Sequence, residues 1–82
     1  MLLLDTHVFL WYVLADPKLP ESISMQIQSD DKVFVSIASF WEMTIKSSLG
    51  KLKLPVSVPK LMDICKSGGF DILQIGPSHL QK

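Results

Sequence analysis

Apolar runs alternate with polar turns along the chain, and their periodicity predicts three strands separated by helices. The predicted strands are Leu2 to Leu4, Lys32 to Ser36 and Phe70 to Ile75. The first run has no polar alternation, which is typical of a strand covered on both faces. Strands that alternate with helices favour parallel pairing and right-handed crossovers, so the sequence predicts an α/β fold: a three-layer α/β/α sandwich with a parallel sheet.

Four helices are predicted from their start and stop signals. They begin at the Asp5-Thr6 cap, at Pro20, at Ser36 and at Pro59, and they end at Asp16-Pro17, Asp30-Asp31, Gly50 and Gly68-Gly69 respectively. The segment Lys51 to Pro59 alternates but contains two prolines, so we expect an extended connection there. Ser78 and Gln81 have the spacing of a capping box, which predicts the start of another helix.

Composition narrows the functional classes. A chain of 82 residues that is 48% hydrophobic indicates one small folded domain covering residues 1–82. Eight cationic residues, all of them Lys, balance eight acidic ones, so no global field attracts nucleic acid or an anionic membrane. Without Arg, bidentate reading of guanine is excluded.

The protein is expected in the cytoplasm. Cys65 is the single cysteine and has an apolar helical spacing with Leu61 and Ile64, which indicates a core thiol in a reducing compartment. No basic residue precedes the first apolar run, and Asp5 and His7 interrupt it. Neither a signal peptide nor a membrane span fits this pattern.

Two carboxylates are the candidate chemistry. Asp5 ends the first predicted strand and Glu42 lies in the helix after the second, so parallel topology places both at one edge of the sheet. Spacing alone favours a structural role for each of them. Asp5 can be a helix N-cap, Ser39 and Glu42 have capping-box spacing, and Glu42 and Lys46 form a favourable i,i+4 pair.

Three segments together resemble the PIN-domain nucleases, in particular the VapC-like toxins of type II toxin-antitoxin systems. They are LLLDTHVFLW at the start, VSIASFWEMTIKSSLGKLKLP in the middle and FDILQIGPSHL near the end. The resemblance implies an α/β sandwich whose acidic residues hold Mg²⁺ or Mn²⁺ at the carboxyl edge of the sheet for RNA cleavage. It also implies a cognate antitoxin protein as partner, and no membrane.

By this resemblance Asp5 and Glu42 match the first two acidic positions, as metal-binding and catalytic residues. Thr6 matches the neighbouring hydroxyl position and Lys46 the lysine one turn after the second acid; both are supporting residues. Thr6 can equally be a first-turn hydroxyl. For Lys46, the i,i+4 spacing favours a surface pair with Glu42 over contact with a phosphate. No ligand role is predicted for His7, because hard metal ions prefer oxygen.

The chain departs from the family in one respect, since the family's remaining acidic positions lie downstream of the segment that IGPSHL resembles. Asp63 reads as part of a solvated helix face, and Asp71 starts a strand at the end away from the site, so neither substitutes. The domain is therefore expected to be incomplete at its C-terminal end: by resemblance it is a Mg²⁺- or Mn²⁺-dependent ribonuclease, but the family's downstream acidic residues are absent from this chain.

In the family, the missing strand packs beside the first strand. Its loss would leave Leu2 to Leu4 as an apolar sheet edge, which predicts a homodimer, a higher oligomer or a fragment of a longer protein. Two alternatives to a nuclease remain. One is a catalytically incomplete PIN remnant acting through protein contacts. The other is a receiver-like phosphoacceptor domain, which the sequence disfavours because it lacks an acidic pair after the first strand.

Overall fold

The computed structural model describes residues 1–74, which form three strands and four helices. Two consecutive helices separate each strand from the next. The strands are β1 (Leu2–Leu4), β2 (Val33–Ser36) and β3 (Asp71–Leu73). The helices are α1 (Thr6–Val13), α2 (Glu21–Ser29), α3 (Ile37–Ser48) and α4 (Val58–Ser67). The third strand is shorter than the predicted Phe70 to Ile75, and Ile75 and the predicted cap at Ser78 lie outside the described residues.

The three strands form one parallel sheet in the order β1-β2-β3. Leu2 is level with Val33, and Phe34 is level with Asp71, so the carboxyl ends of all three strands lie at one edge. This confirms the predicted parallel α/β architecture. Because each new strand is added on the same side, right-handed crossovers bring the helices of the described part to one face of the sheet.

The burial pattern of the strands agrees with this single helical layer. On the covered face, Leu4, Val33 and Val35 are buried against apolar residues from all four helices. On the opposite face, Leu3 and Leu73 are exposed and stay outside that core. Residues 1–74 thus supply the sheet and one helical layer of the predicted sandwich.

The core is centred on α1 and α3. The Phe9 and Phe40 rings are fully buried and meet edge to face with centroids 5.6 Å apart. Aromatic pairs in this geometry are worth about 0.5–1.5 kcal/mol beyond their buried area. The Phe9–Phe40 pair fixes the N-terminal half of α3 beside α1. The candidate site is formed by residues of these two helices.

Side-chain caps start three of the four helices. Asp5 caps α1 by accepting from the backbone N–H of His7, Ser36 caps α3, and Ser57 caps α4. The prediction that Ser39 caps a helix is therefore wrong, because α3 begins one turn earlier and Ser39 lies inside it. Pro20 immediately precedes α2 as its N-cap residue.

Cys65 is fully buried in the core, as its helical spacing predicts. Burial, together with the nearby Asp71 carboxylate, raises the pKa of this thiol to about 11. The group is therefore protonated at neutral pH, and it is an inert core side chain and not a nucleophile. Between α3 and α4 no strand forms, in agreement with the predicted extended connection. No helix in residues 1–74 has the length and apolarity needed to cross a membrane.

Candidate metal-binding edge

The candidate site lies where β1 and β2 end and the helices that follow them begin. Asp5 comes directly after β1 and caps α1, and Ser36 ends β2 and caps α3. The two helices therefore start side by side at the carboxyl edge of the sheet. Glu42 lies in the second turn of α3, on the side of the helix that meets the start of α1.

Thr6 joins the two elements directly. Its hydroxyl oxygen lies 2.9 Å from Ser39 Oγ and 2.9 Å from Glu42 Oε1. A hydroxyl has one proton to donate, and a carboxylate can only accept. All three groups are satisfied when Ser39 donates to Thr6 and Thr6 donates to Glu42. Thr6 and Ser39 are each only 8% exposed, so water competes weakly for these hydrogen bonds.

Lys46 holds the other oxygen of the same carboxylate. Its ammonium donates to Glu42 Oε2 at 2.6 Å, and the two side chains are 44% and 39% exposed. Hydrogen bonds from Lys46 and then Thr6 hold the pKa of Glu42 below its usual range, against a smaller opposing effect of desolvation. Glu42 is therefore an oriented, ionised carboxylate at neutral pH.

Asp5 is the more accessible of the two acids. It is exposed, and the contact that fixes it is the hydrogen bond accepted by Oδ1 from the His7 N–H at 3.3 Å. The His7 side chain is exposed too, and its ring lies 6.1 Å from that of Trp11, centroid to centroid. Asp5 immediately precedes Thr6 in the sequence, and the Thr6 side chain contacts Glu42.

A comparison with protein-family models matches the PIN-domain model over residues 2–82. The chain belongs to the PIN-domain family. The PIN-domain family is, in general, a family of nucleases. Neither the curated proteins nor the solved structures that were compared contain a match to the chain.

The other acids do not approach the edge in the described part of this PIN domain. Asp63 lies on an exposed face of α4. Asp71 opens β3 and is level with Leu3, two residues short of the level of Asp5. Accordingly, residues 1–74 contain no group of three or more acidic, His or Cys side chains placed to hold a metal ion.

Ser39 is the site residue whose role the sequence analysis misassigned. The sequence did contain a signal for it, because Ser39 shares the inward face of α3 with Phe40 and Met43, both buried. A hydroxyl on an apolar helix face needs a hydrogen-bond partner. That partner comes from α1, 33 residues earlier in the chain. The capping-box spacing of Ser39 and Glu42 instead predicted a hydrogen bond from Ser39 to the backbone of its own helix.

Proposed function

We propose that this PIN domain is a cytoplasmic, metal-dependent endoribonuclease of the VapC-like type, the toxin of a toxin-antitoxin pair. Its substrate would be RNA and its natural inhibitor an antitoxin protein. The observation that carries the proposal is the hydrogen-bonded attachment of Glu42 to Thr6, the residue after Asp5. It ties Glu42 to the residue that follows Asp5, and we propose these two acids as the metal ligands.

The donor atoms at this edge suit Mg²⁺ or Mn²⁺. Both ions are hard and prefer oxygen ligands, and Mg²⁺ is commonly held by one or two carboxylates while it keeps several waters. Asp5 is exposed, and Glu42 is partly exposed. We therefore assign these two residues as the metal ligands. A bound ion would supply charge neutralisation and an activated water for phosphodiester hydrolysis.

Ser39, Thr6 and Lys46 position the Glu42 carboxylate and balance its charge. Thr6 holds Glu42 in one orientation through a partly buried hydrogen bond, and Ser39 supports Thr6 through a buried one, which lowers the entropy lost when Glu42 binds an ion. Lys46 occupies Glu42 Oε2, so it balances the charge of the carboxylate before a ligand arrives. Released from Glu42, its ammonium is placed to meet a phosphate of the RNA as a point charge.

A second candidate function is a PIN remnant that acts through protein contacts alone. The observation in its favour is that residues 1–74 contain no group of three or more His, Cys, Asp or Glu side chains that could hold a metal ion. In this case Asp5 and Glu42 serve as a helix cap and a surface ion pair. The two candidates share a fold and differ in their response to metal.

The deciding experiment is a titration of Mn²⁺ into the purified 82-residue protein, with thermal stability and RNA cleavage measured together. At 100 times the dissociation constant a single bound ion should stabilise the folded state by about 2.7 kcal/mol. Asp5→Asn and Glu42→Gln should each lose this stabilisation and the cleavage. Asp63→Asn is the matched control, because Asp63 is exposed on α4 and should leave both unchanged.

The outcomes separate the candidates. Stabilisation and cleavage that disappear in both site variants and persist in the control support the nuclease. A folded protein whose melting temperature does not respond to Mn²⁺ and that cleaves no RNA supports the remnant. Stabilisation that survives in Asp5→Asn would contradict the proposed ligands.

We also propose that the 82-residue form self-associates as a homodimer or higher oligomer through its sheet edge. This proposal is supported by the edge position of β1 in the sheet that residues 1–74 form and by the 56% exposure of Leu3. Apolar edge strands present unpaired backbone groups that another chain can pair with.

A further inference from the structure

Charge is divided unevenly along the chain. Residues 1–42 contain six acidic residues and two lysines, whereas residues 43–70 contain five lysines and a single acid, Asp63. The basic segment includes the second half of α3, all of α4 and the connection between them. A protein of zero net charge can attract phosphates only through a local surface of this kind.

Three lysines follow one another along the exposed side of this segment and are here called the lysine strip. Lys51 and Lys53 lie in the connection between α3 and α4, and Lys60 lies in the first turn of α4. Exposed residues alternate along the connection with partly buried ones that pack against the core, namely Leu52, Leu54 and Val56. Lys51 and Lys53 therefore face the solvent on the same side, with Cα atoms within about 7 Å of each other. None of the three lysines forms an ion pair with another residue of the described part, 1–74.

The lysine strip is continuous with the candidate metal-binding edge. The Lys46 carbonyl accepts hydrogen bonds from the backbone N–H groups of Lys51 and Leu52, at 2.9 and 3.2 Å, while the Lys46 ammonium holds Glu42. From there the connection returns toward the carboxyl ends of the strands, because α4 leads after three residues into the amino end of β3 and so begins at the opposite end. The strip thus runs from the end of α3 toward the edge that carries Asp5 and Glu42.

We propose that the lysine strip binds the phosphate backbone of the RNA strand to one side of the cleaved bond, an inference that rests on the proposed ribonuclease function. The chain has no Arg, and a lysine ammonium meets a phosphate as a point charge. Contacts of this kind fix the position of the strand and carry no base preference. The strip extends the substrate contact beyond the edge where cleavage takes place.

RNA binding is measured without metal, so that cleavage does not enter the result. A short, fluorescently labelled single-stranded RNA of mixed sequence is titrated with the 82-residue protein in EDTA, and anisotropy gives the association constant at several salt concentrations. The logarithm of this constant should fall linearly with the logarithm of the salt concentration, by about 0.7 for each phosphate that a lysine neutralises.

The double variant Lys51→Gln, Lys53→Gln removes two of these contacts. The salt slope should become shallower by about 1.4, and the affinity at low salt should drop several-fold. The double variant Lys18→Gln, Lys32→Gln is the matched control, since it removes the same charge from two exposed lysines outside the basic segment and should leave the slope unchanged. Both variants should keep the melting temperature of the wild type, because all four side chains are exposed.

Cleavage, measured separately in Mn²⁺, keeps this proposal distinct from the nuclease proposal. If the domain cleaves RNA, the Lys51→Gln, Lys53→Gln variant should raise KM and leave kcat unchanged, because both lysines act on binding alone. An unchanged KM would overturn the role of the lysine strip while the nuclease proposal stands. Metal-free binding that depends on the strip, in a protein that cleaves no RNA, would support the strip and contradict the nuclease.

Three further results would overturn the proposal. They are absence of RNA binding at low salt, an equal loss of slope in the control variant, and tighter binding of poly-glutamate than of RNA through the same two lysines. The last result would assign the lysine strip to an acidic segment of a partner protein.

Discussion

At the scale of single residues, Thr6 is the side chain on which the candidate site depends. Its hydroxyl is buried and contacts Ser39 on one side and Glu42 on the other. Thr6→Val keeps the shape and removes both hydrogen bonds, which leaves the Ser39 hydroxyl without this acceptor. We expect a loss of about 1–3 kcal/mol in the free energy of unfolding, measured by urea titration.

Thr44→Val is the matched control for this variant. The Thr44 hydroxyl donates to the Phe40 carbonyl within α3, and the residue is exposed, so the same substitution there should change stability by less than about 0.5 kcal/mol. Equal losses in the two variants would mean that the contact between α1 and α3 does not depend on Thr6.

The lowered pKa of Glu42 predicts a pH dependence of stability. A carboxyl with a lower pKa in the folded state contributes stability above its unfolded pKa, and this contribution is lost as pH falls through the folded value. The stabilisation should therefore be complete above the usual glutamate value of about 4.5 and decline below it.

Comparison with Glu42→Gln isolates this contribution, because the pKa of Asp30 is also lowered and adds its own acid sensitivity. The difference in unfolding free energy between the wild type and Glu42→Gln should be largest near neutral pH and shrink below pH 4.5. The effect is modest, since Glu42 and Lys46 are both partly exposed. A difference that stays constant down to the acid transition would contradict it.

At the scale of elements, three helices end in the same way. After α1, α3 and α4 the chain enters the left-handed region at Ala15, Gly50 and Gly69, with φ of 53°, 72° and 86°. In each case the N–H of the next residue donates to a carbonyl five residues earlier, which is the Schellman pattern. Glycine adopts this conformation without strain, and alanine does not.

These helix ends give a matched pair of predictions. Ala15→Gly should stabilise the protein by about 0.5–1 kcal/mol, because relief of backbone strain outweighs the larger entropy of the unfolded chain. Gly50→Ala should destabilise it by about 1 kcal/mol, and no atom of the described residues lies within 4 Å of the added Cβ to add a clash. Thermal unfolding measures both. Opposite signs are the test, and destabilisation by Ala15→Gly would contradict it.

The same elements show what the sequence could and could not predict. Alternating apolar runs were enough for the order of strands and helices, because burial and periodicity are local properties of the chain. The left-handed residue at Ala15 carries no such signal, since the usual marker of that conformation is Gly or Asn. The contact between Thr6 and Ser39 joins residues far apart in the sequence, and only the packing of α1 on α3 reveals it.

At the scale of the whole molecule, the described part leaves one sheet face uncovered, and β1 is one of its two edge strands. Leu3 belongs to both, because it lies in the edge strand β1 and its side chain is on the face away from the core. Phe34, its neighbour in the register, is only partly buried. Backbone pairing at the edge and apolar contact on the face would both be available to a second chain.

Leu3→Lys tests whether this edge causes self-association. A lysine there puts a charge in the interface, so the variant should be monomeric at concentrations where the wild type is dimeric or larger by light scattering. Folding should survive, because Leu3 is 56% exposed and lies outside the core. Met25→Lys is the matched control, since Met25 is 61% exposed on α2, away from the sheet, and should leave the oligomer intact. A wild type that is monomeric at micromolar concentration and unfolds cooperatively would contradict the proposal, as would equal dissociation by both variants.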